Sequence, residues 1–196
     1  YGSQRPLYAT WTVTGSGSVI VGAHELPRKQ GRRSVRICGA TAGAIVDYGV
    51  KDAFNMGGAM APAAPAVLLA HFQDFNRSPQ DYDCIYTGDL GYYGSELLCK
   101  LMEEEGFLLE GHYRDLGTLI YSNEEQDTHG GASGCGCSAV TLTGYLMKKL
   151  RSGKLNRILF VPTGALLSPL STQQGESIPC IAHAVIIESS GEREER

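Results

Sequence analysis

The densest group of chemically suggestive residues is the run His129-Gly130-Gly131-Ala132-Ser133-Gly134-Cys135-Gly136-Cys137-Ser138. It leads directly into an apolar stretch over 139–150 whose spacing predicts a helix. Glycines at a helix start let several backbone N–H groups converge on one point, and the helix dipole favours negative charge there. Such a loop suits a carboxylate or a phosphate. It lacks the Gly-Lys-Ser/Thr of a P-loop and does not follow the G-x-G-x-x-G dinucleotide pattern. Close packing of a helix against a sheet or a second copy would ask for the same small residues.

Cys135 and Cys137 fall at this helix start, where a thiol pKa can drop far enough to yield a nucleophilic thiolate. A nucleophile of that kind needs a base, for which His129 and His183 are the candidates. Packing is the competing role, since free cysteine is among the most buried residue types. Asp89 stands at the end of a strand predicted over 84–87, the edge from which α/β folds present binding and catalytic groups. It could hold a cation, orient a ligand amine or cap the helix that follows. His183 sits in an apolar strand and reads as a hydrogen-bonded core residue, and His71 ends a helix whose dipole it complements. Cys135 and Cys137 form C-x-C with no second close Cys or His pair, so the spacing does not make a zinc site.

These residues need elements to position them. Segment 8–14 alternates β-formers and 18–21 resumes after Gly15-Ser16-Gly17, which predicts a strand, a glycine turn and a second, antiparallel strand. The basic stretch around 25–33, with His24, Arg28, Lys29, Arg32 and Arg33, reads as an exposed loop, and 34–44 alternates again. A core-facing helix is expected within 59–72, with Pro62 and Pro65 at or before its first turn. Ser78 and Pro79 start one short turn. After 84–87 a helix is expected over about 95–105, stopped by Gly106. The helix over 139–150 closes with Lys148, Lys149 and Arg151, then Gly153. Strands follow at 157–161 and 181–188. Alternating strands and helices with short β connections at the end indicate a layered α/β fold.

Composition sets the outer limits. The chain has 196 residues, 42% hydrophobic and 19% charged, with a net charge of −4. Those values argue against a disordered tail and against a polybasic nucleic-acid surface, so no nucleic acid is expected as a partner. The 25 glycines lie well above the ~7% of an average protein and cluster in turns. No apolar run reaches the ~20 residues of a membrane span. Six cysteines in a chain this rich in core residues read as reduced thiols.

Several blocks, in order, resemble the stage V sporulation protein AD family. They are Thr12-Val13-Thr14-Gly15-Ser16-Gly17, Met56-Gly57-Gly58-Ala59-Met60-Ala61-Pro62-Ala63-Ala64, Asp81-Tyr82-Asp83 with Thr87-Gly88-Asp89-Leu90, and Ser133-Gly134-Cys135-Gly136-Cys137-Ser138-Ala139-Val140. The run from Thr163-Gly164-Ala165-Leu166-Leu167-Ser168-Pro169 through Gln174 to Ile178-Pro179 and Ile181-Ala182-His183 completes the match. The resemblance implies a thiolase-like fold built of two similar βαβαβαββ halves, of which this chain is mainly the C-terminal one. On that basis 1–188 is the thiolase-like half, 1–22 a β segment finishing the preceding half, and 189–196 a charged tail.

The resemblance also implies a function. It points to binding of dipicolinic acid and its movement into the developing spore with other stage V A proteins, peripheral to the inner spore membrane. The missing N-terminal half and a second copy, as a homodimer, join dipicolinic acid as expected partners. Active relatives place a histidine after a strand and an Asn or His in a glycine-rich loop. Here those places hold Asp89 and Gly131-Ala132, which removes acid-base and oxyanion groups that condensation or thiolysis needs. A non-catalytic binding protein is therefore expected, with no cofactor and no resident metal. Dipicolinate, a flat aromatic dianion, would lie against Asp89, Leu90, Gly131, Ser133 and Cys135, with Ca²⁺ bridging Asp89 to its carboxylates. Two alternatives remain: an acyltransferase using Cys135 or Cys137, and a scaffold or dimerisation half without its own ligand site.

Overall fold

Strand side chains alternate between two faces, and here both faces are apolar. Ile85, Leu159, Val161, Ala184 and Ile186 point into one core; Cys84, Tyr86, Ile158 and Ile187 point into another. A sheet buried on both sides must be covered by helices on both sides. The computed structural model, which describes residues 6–23 and 33–190, has that three-layer arrangement.

In chain order, β1 is Trp11–Thr12, β2 Ser34–Thr41, α1 Met56–Met60, α2 Ala63–Phe75, β3 Cys84–Thr87, α3 Gly91–Glu104 and β4 Tyr113–Asp115. Then come α4 Asn123–Gln126, β5 Ala132–Ser133, α5 Cys137–Thr141, a π-helical turn Leu142–Leu146, and α6 Met147–Arg151. The chain ends with β6 Arg157–Val161, β7 Thr163–Ala165, α7 Pro169–Gln173, β8 Cys180–Ala182 and β9 Ala184–Ser190. The main sheet runs β2-β9-β6-β3-β4. Strands β3, β4 and β6 are parallel and β9 is antiparallel to both its neighbours. Taken without the small outlying pairs, the order β2, α2, β3, α3, β4, α5–α6, β6, β9 is the βαβαβαββ order that the family resemblance implies. Helices α2 and α3 cover one face, and Leu146 and Leu150 from the α5–α6 helix cover the other.

The expected opening hairpin is absent. Within 6–23 only Trp11–Thr12 is a strand, and it pairs parallel with β5, Trp11 opposite Ala132. The Gly15-Ser16-Gly17 run makes no turn between strands; it lies along the helix that starts at Cys137. A Cβ on Gly15 would sit 2.8 Å from Val140 Cγ1, and one on Gly17 would run into the Ala139 carbonyl oxygen. These glycines permit close approach of two backbones. The basic stretch lies outside the described residues except for Arg33, whose guanidinium donates to Asn156 Oδ1 at 2.9 Å. Of the tail expected over 189–196, Ser189 and Ser190 complete β9 instead, because they pair with β2, and 191–196 lie outside the described residues.

Two histidines differ from expectation. His71 is fully buried, with Nδ1 2.8 Å from the Thr41 hydroxyl and Nε2 2.8 Å from the Tyr82 hydroxyl. Burial, aided by Arg77, holds it down to about 4, so it is neutral and does not serve the helix dipole. His183 is exposed, because the predicted last strand breaks there: β8 pairs with β7, while β9 joins the main sheet. Its Nδ1 accepts the Gly43 amide at 3.1 Å.

Candidate functional site

Three segments meet at the ends of β3 and β4: the β3–α3 turn, the chain just after β4, and the glycine-rich loop ahead of α5. Asp115 is at their centre and is 2% exposed. Its Oδ2 accepts the Thr87 hydroxyl at 2.7 Å and the Leu90 amide at 3.0 Å. Its Oδ1 accepts the amides of Gly91 and Gly117, each at 2.9 Å. Two of these donors are at the open N-terminus of α3, so Asp115 caps a helix that begins 24 residues earlier. The Tyr113 hydroxyl lies 2.8 Å from Thr87 Oγ1 and 3.1 Å from Ser95 Oγ, with its one proton available to either. Burial, opposed by the donors and reinforced by Asp89, pushes the Asp115 carboxyl up to about 6.

Asp89 does not face the glycine-rich loop across a gap; it is bonded to it. Its Oδ2 accepts the Ser133 hydroxyl at 2.8 Å and the Gly134 amide at 2.9 Å. Burial raises its pKa, and those two bonds pull the other way. Much of the loop's N–H capacity is thus spent internally: Gly130 donates to Ala9, Gly131 to Thr128 and Gly134 to Asp89. The loop backbone also needs glycine for shape, since Gly131 has φ 97° and Gly134 φ 106°.

The residues singled out from sequence separate into two groups. Leu90 is 1% exposed with its side chain in the main core, and Gly131 is buried, so both lie behind the site wall. Asp89 and Ser133 form the joint just in front of them. Cys135 alone is exposed. It lines an open groove of about 270 Å³ with Ser138, Ala139, Leu142, Phe160 and Pro162. Cys137 is fully buried, its thiol 3.7 Å from the Gly88 carbonyl oxygen. Burial, with the nearby charges of Asp89 and Asp115, pushes that thiol up to about 12, so it is not a thiolate near neutrality. His129 Nδ1 is 2.9 Å from the Pro6 carbonyl oxygen and its Nε2 is 3.1 Å from Asp127. All six cysteines are free thiols.

Asp115 was not singled out from sequence. Its signal was weak because its partners are remote: only the Asp115-Leu116-Gly117 turn is local, and Thr87, Leu90 and Gly91 come from another segment. Among the described residues no cluster of three or more His, Cys, Asp or Glu is arranged to hold a metal ion. No helix there is long and apolar enough to cross a membrane.

Comparison with known proteins bears on this arrangement. A solved acetyl-CoA acetyltransferase of Bacillus anthracis aligns at a TM-score of 0.39 and 18% identity, over 80% of this chain and 30% of its own. That overlap is too loose to carry a function across. Stage V sporulation protein AD of Bacillus subtilis (strain 168) is 47% identical over 191 residues, which is 97% of this chain. The chain spans about half that relative's length, 54%. The family model for Stage V sporulation protein AD matches residues 1–188, a span that contains the β3–α3 turn, Asp115 and the glycine-rich loop together. With a family match over nearly the whole chain and a relative at this identity, the chain belongs to the stage V sporulation protein AD family.

Proposed function

We propose that this chain is the C-terminal half of a non-catalytic, thiolase-like sporulation protein that binds dipicolinic acid for uptake into the developing spore. The supporting observation is the chemistry at the strand end. A carboxylate tied to Ser133 and Gly134 stands where the family resemblance implies a histidine in active relatives, and the neighbouring thiol of Cys137 is held up at about 12. The Asp89 Oδ2 is committed to those two bonds, and the Cys137 thiol is not a thiolate that could attack a carbonyl near neutral pH. What remains accessible is the groove at the start of α5, where Cys135 and Ser138 lie beside the apolar surfaces of Leu142, Phe160 and Pro162. A flat aromatic ring fits an apolar wall, and its carboxylates are favoured at the helix start.

Asp89 adds negative charge behind that groove, so a dianion would be repelled there unless a cation intervenes. Ca²⁺ with its preference for oxygen ligands is the natural bridge. Other stage V A proteins, the N-terminal half and a second copy are the proposed partners, and the location is peripheral to the inner spore membrane. Calorimetric titration of dipicolinate into wild type and Asp89→Ala, with and without Ca²⁺, tests the site. A loss of Ca²⁺-dependent binding in the variant is expected; unchanged affinity in both conditions removes Asp89 from the site. A covalent adduct on Cys135 after incubation with an acyl thioester, read by mass spectrometry, would favour an acyltransferase instead.

A further inference from the structure

We propose that Asp115 is the positioning residue of the candidate site: it fixes the β3–α3 turn and Gly117, and through them holds the glycine-rich loop in register beside the groove. The inference rests on the reading of that loop as a ligand wall. Two physical routes connect Asp115 to the loop. On the first, Asp115 holds the amides of Leu90 and Gly91, and the residue immediately before them, Asp89, grips Ser133 and Gly134. On the second, Asp115 holds the Gly117 amide, and Gly117 packs so closely on the loop that a Cβ there would meet the Ala132 carbonyl oxygen. A Cβ on Gly131 would in turn lie 2.9 Å from the Gly117 carbonyl oxygen. The turn and the loop are also stitched directly, since the Tyr92 amide donates to Gly130 at 3.0 Å.

A buried carboxylate with four donors is costly unless all four are kept. Releasing it should therefore loosen segments that share no covalent neighbourhood. The groups that face it are Asp89, which raises its pKa, and Tyr113 and Cys137, whose own pKa values it raises.

Native-state amide exchange of the full chain, followed by mass spectrometry, tests the proposal. Asp115→Asn should speed exchange roughly tenfold in peptides covering both 88–94 and 130–138, while peptides from β6 and β9 stay within twofold of wild type. Faster exchange confined to 88–94 overturns it, because the loop would then be held by other contacts. A uniform rise across all peptides also overturns it, since Asp115 would then act only on global stability. Should Asp115→Asn fail to fold, Thr87→Val removes one of the four donors and is scored by the same pattern with smaller changes. Dipicolinate affinity is measured in parallel and should weaken about tenfold in the variant. If wild type binds no dipicolinate, the ligand reading fails while the exchange pattern still decides the role of Asp115.

Discussion

Asp89 and Ser133 lie 44 residues apart in the chain and are joined by a hydrogen bond of 2.8 Å from the serine hydroxyl to the carboxylate. The bond ties the edge of the main sheet to the loop that begins the α5–α6 helix. It also explains why Asp89 can be buried as a carboxylate: the hydroxyl and the Gly134 amide oppose the desolvation that would otherwise neutralise it.

Removing the hydroxyl should therefore cost more than a surface serine would. Ser133→Ala is expected to destabilise the chain by about 1.5–3 kcal/mol, the range for a hydrogen bond to a charged group, and to raise the Asp89 pKa further. Urea unfolding at pH 7 and pH 5 measures both effects. The deficit should be smaller at the lower pH, because protonating Asp89, whose pKa burial raises, removes the charge that the lost hydroxyl served.

His71 makes a second prediction, with the opposite pH sense. Its folded pKa of about 4 lies below the ordinary 6.5. As pH falls from about 6.5 to about 4, the unfolded chain takes up a proton that the folded chain refuses, so this group withdraws stability across that window. Asp115, raised from 3.8 to about 6, adds stability over the same fall, because its burial is less costly once protonated. A wild-type profile mixes the two, and a variant separates them. His71→Gln should cost about 1–3 kcal/mol at pH 7, from lost bonds to Thr41 and Tyr82. That deficit should diminish towards pH 4.5, as seen by thermal unfolding of both proteins.

Gly17 and Gly144 respond in opposite ways to an added methyl group. A Cβ on Gly17 would run into the Ala139 carbonyl oxygen, which the helix cannot move cheaply, so Gly17→Ala is expected to destabilise by about 1–3 kcal/mol. Gly144, in the π-helical turn, has nothing within 4 Å of such an atom. Gly144→Ala should stabilise by about 0.5–1 kcal/mol, by reducing the freedom of the unfolded chain. Denaturant midpoints of the two variants, moving in opposite directions, check the pair.

That contrast shows where sequence reasoning succeeds and where it stops. Strands β3 and β6 and the helix ending at Arg151 were legible because their signals are local: apolar runs, a basic last turn, Gly153 just beyond with φ 71°. The βαβαβαββ order of elements is legible through the family resemblance. The start of α3 was placed about four residues late because its cap, Asp115, is remote in sequence. Gly15-Ser16-Gly17 was misread as a turn because glycine satisfies a turn and a close approach equally well, and only the partner helix distinguishes them. The interior of 181–188 gave no sign of a break at His183, since β8 and β9 remain one apolar run while serving two sheets. Within the candidate site, Asp89, Ser133 and Cys135 stand out in the sequence by type and place; the structure bonds Asp89 to Ser133 and sets Cys135 on the groove. The burial of Leu90 and Gly131 depends on packing across segments, which no local pattern carries.

The cysteines supply a last prediction that bears directly on the groove. Cys135 and Cys38 are exposed, whereas Cys84, Cys137 and Cys180 are buried and have raised pKa values, about 11 for Cys84 and about 12 for Cys137. Partial desolvation and its bond to Glu188 nonetheless raise the pKa of the Cys38 thiol. Iodoacetamide at pH 8 should therefore modify Cys135 first, then Cys38, and leave Cys84, Cys137 and Cys180 intact in the folded chain. Peptide mass spectrometry over time reads the order. Because Cys135 lines the groove, saturating dipicolinate with Ca²⁺ should slow its modification at least fivefold without changing the rate at Cys38. Equal rates at Cys135 with and without ligand would place dipicolinate elsewhere, and rapid modification of Cys137 would contradict the burial that keeps its thiol protonated.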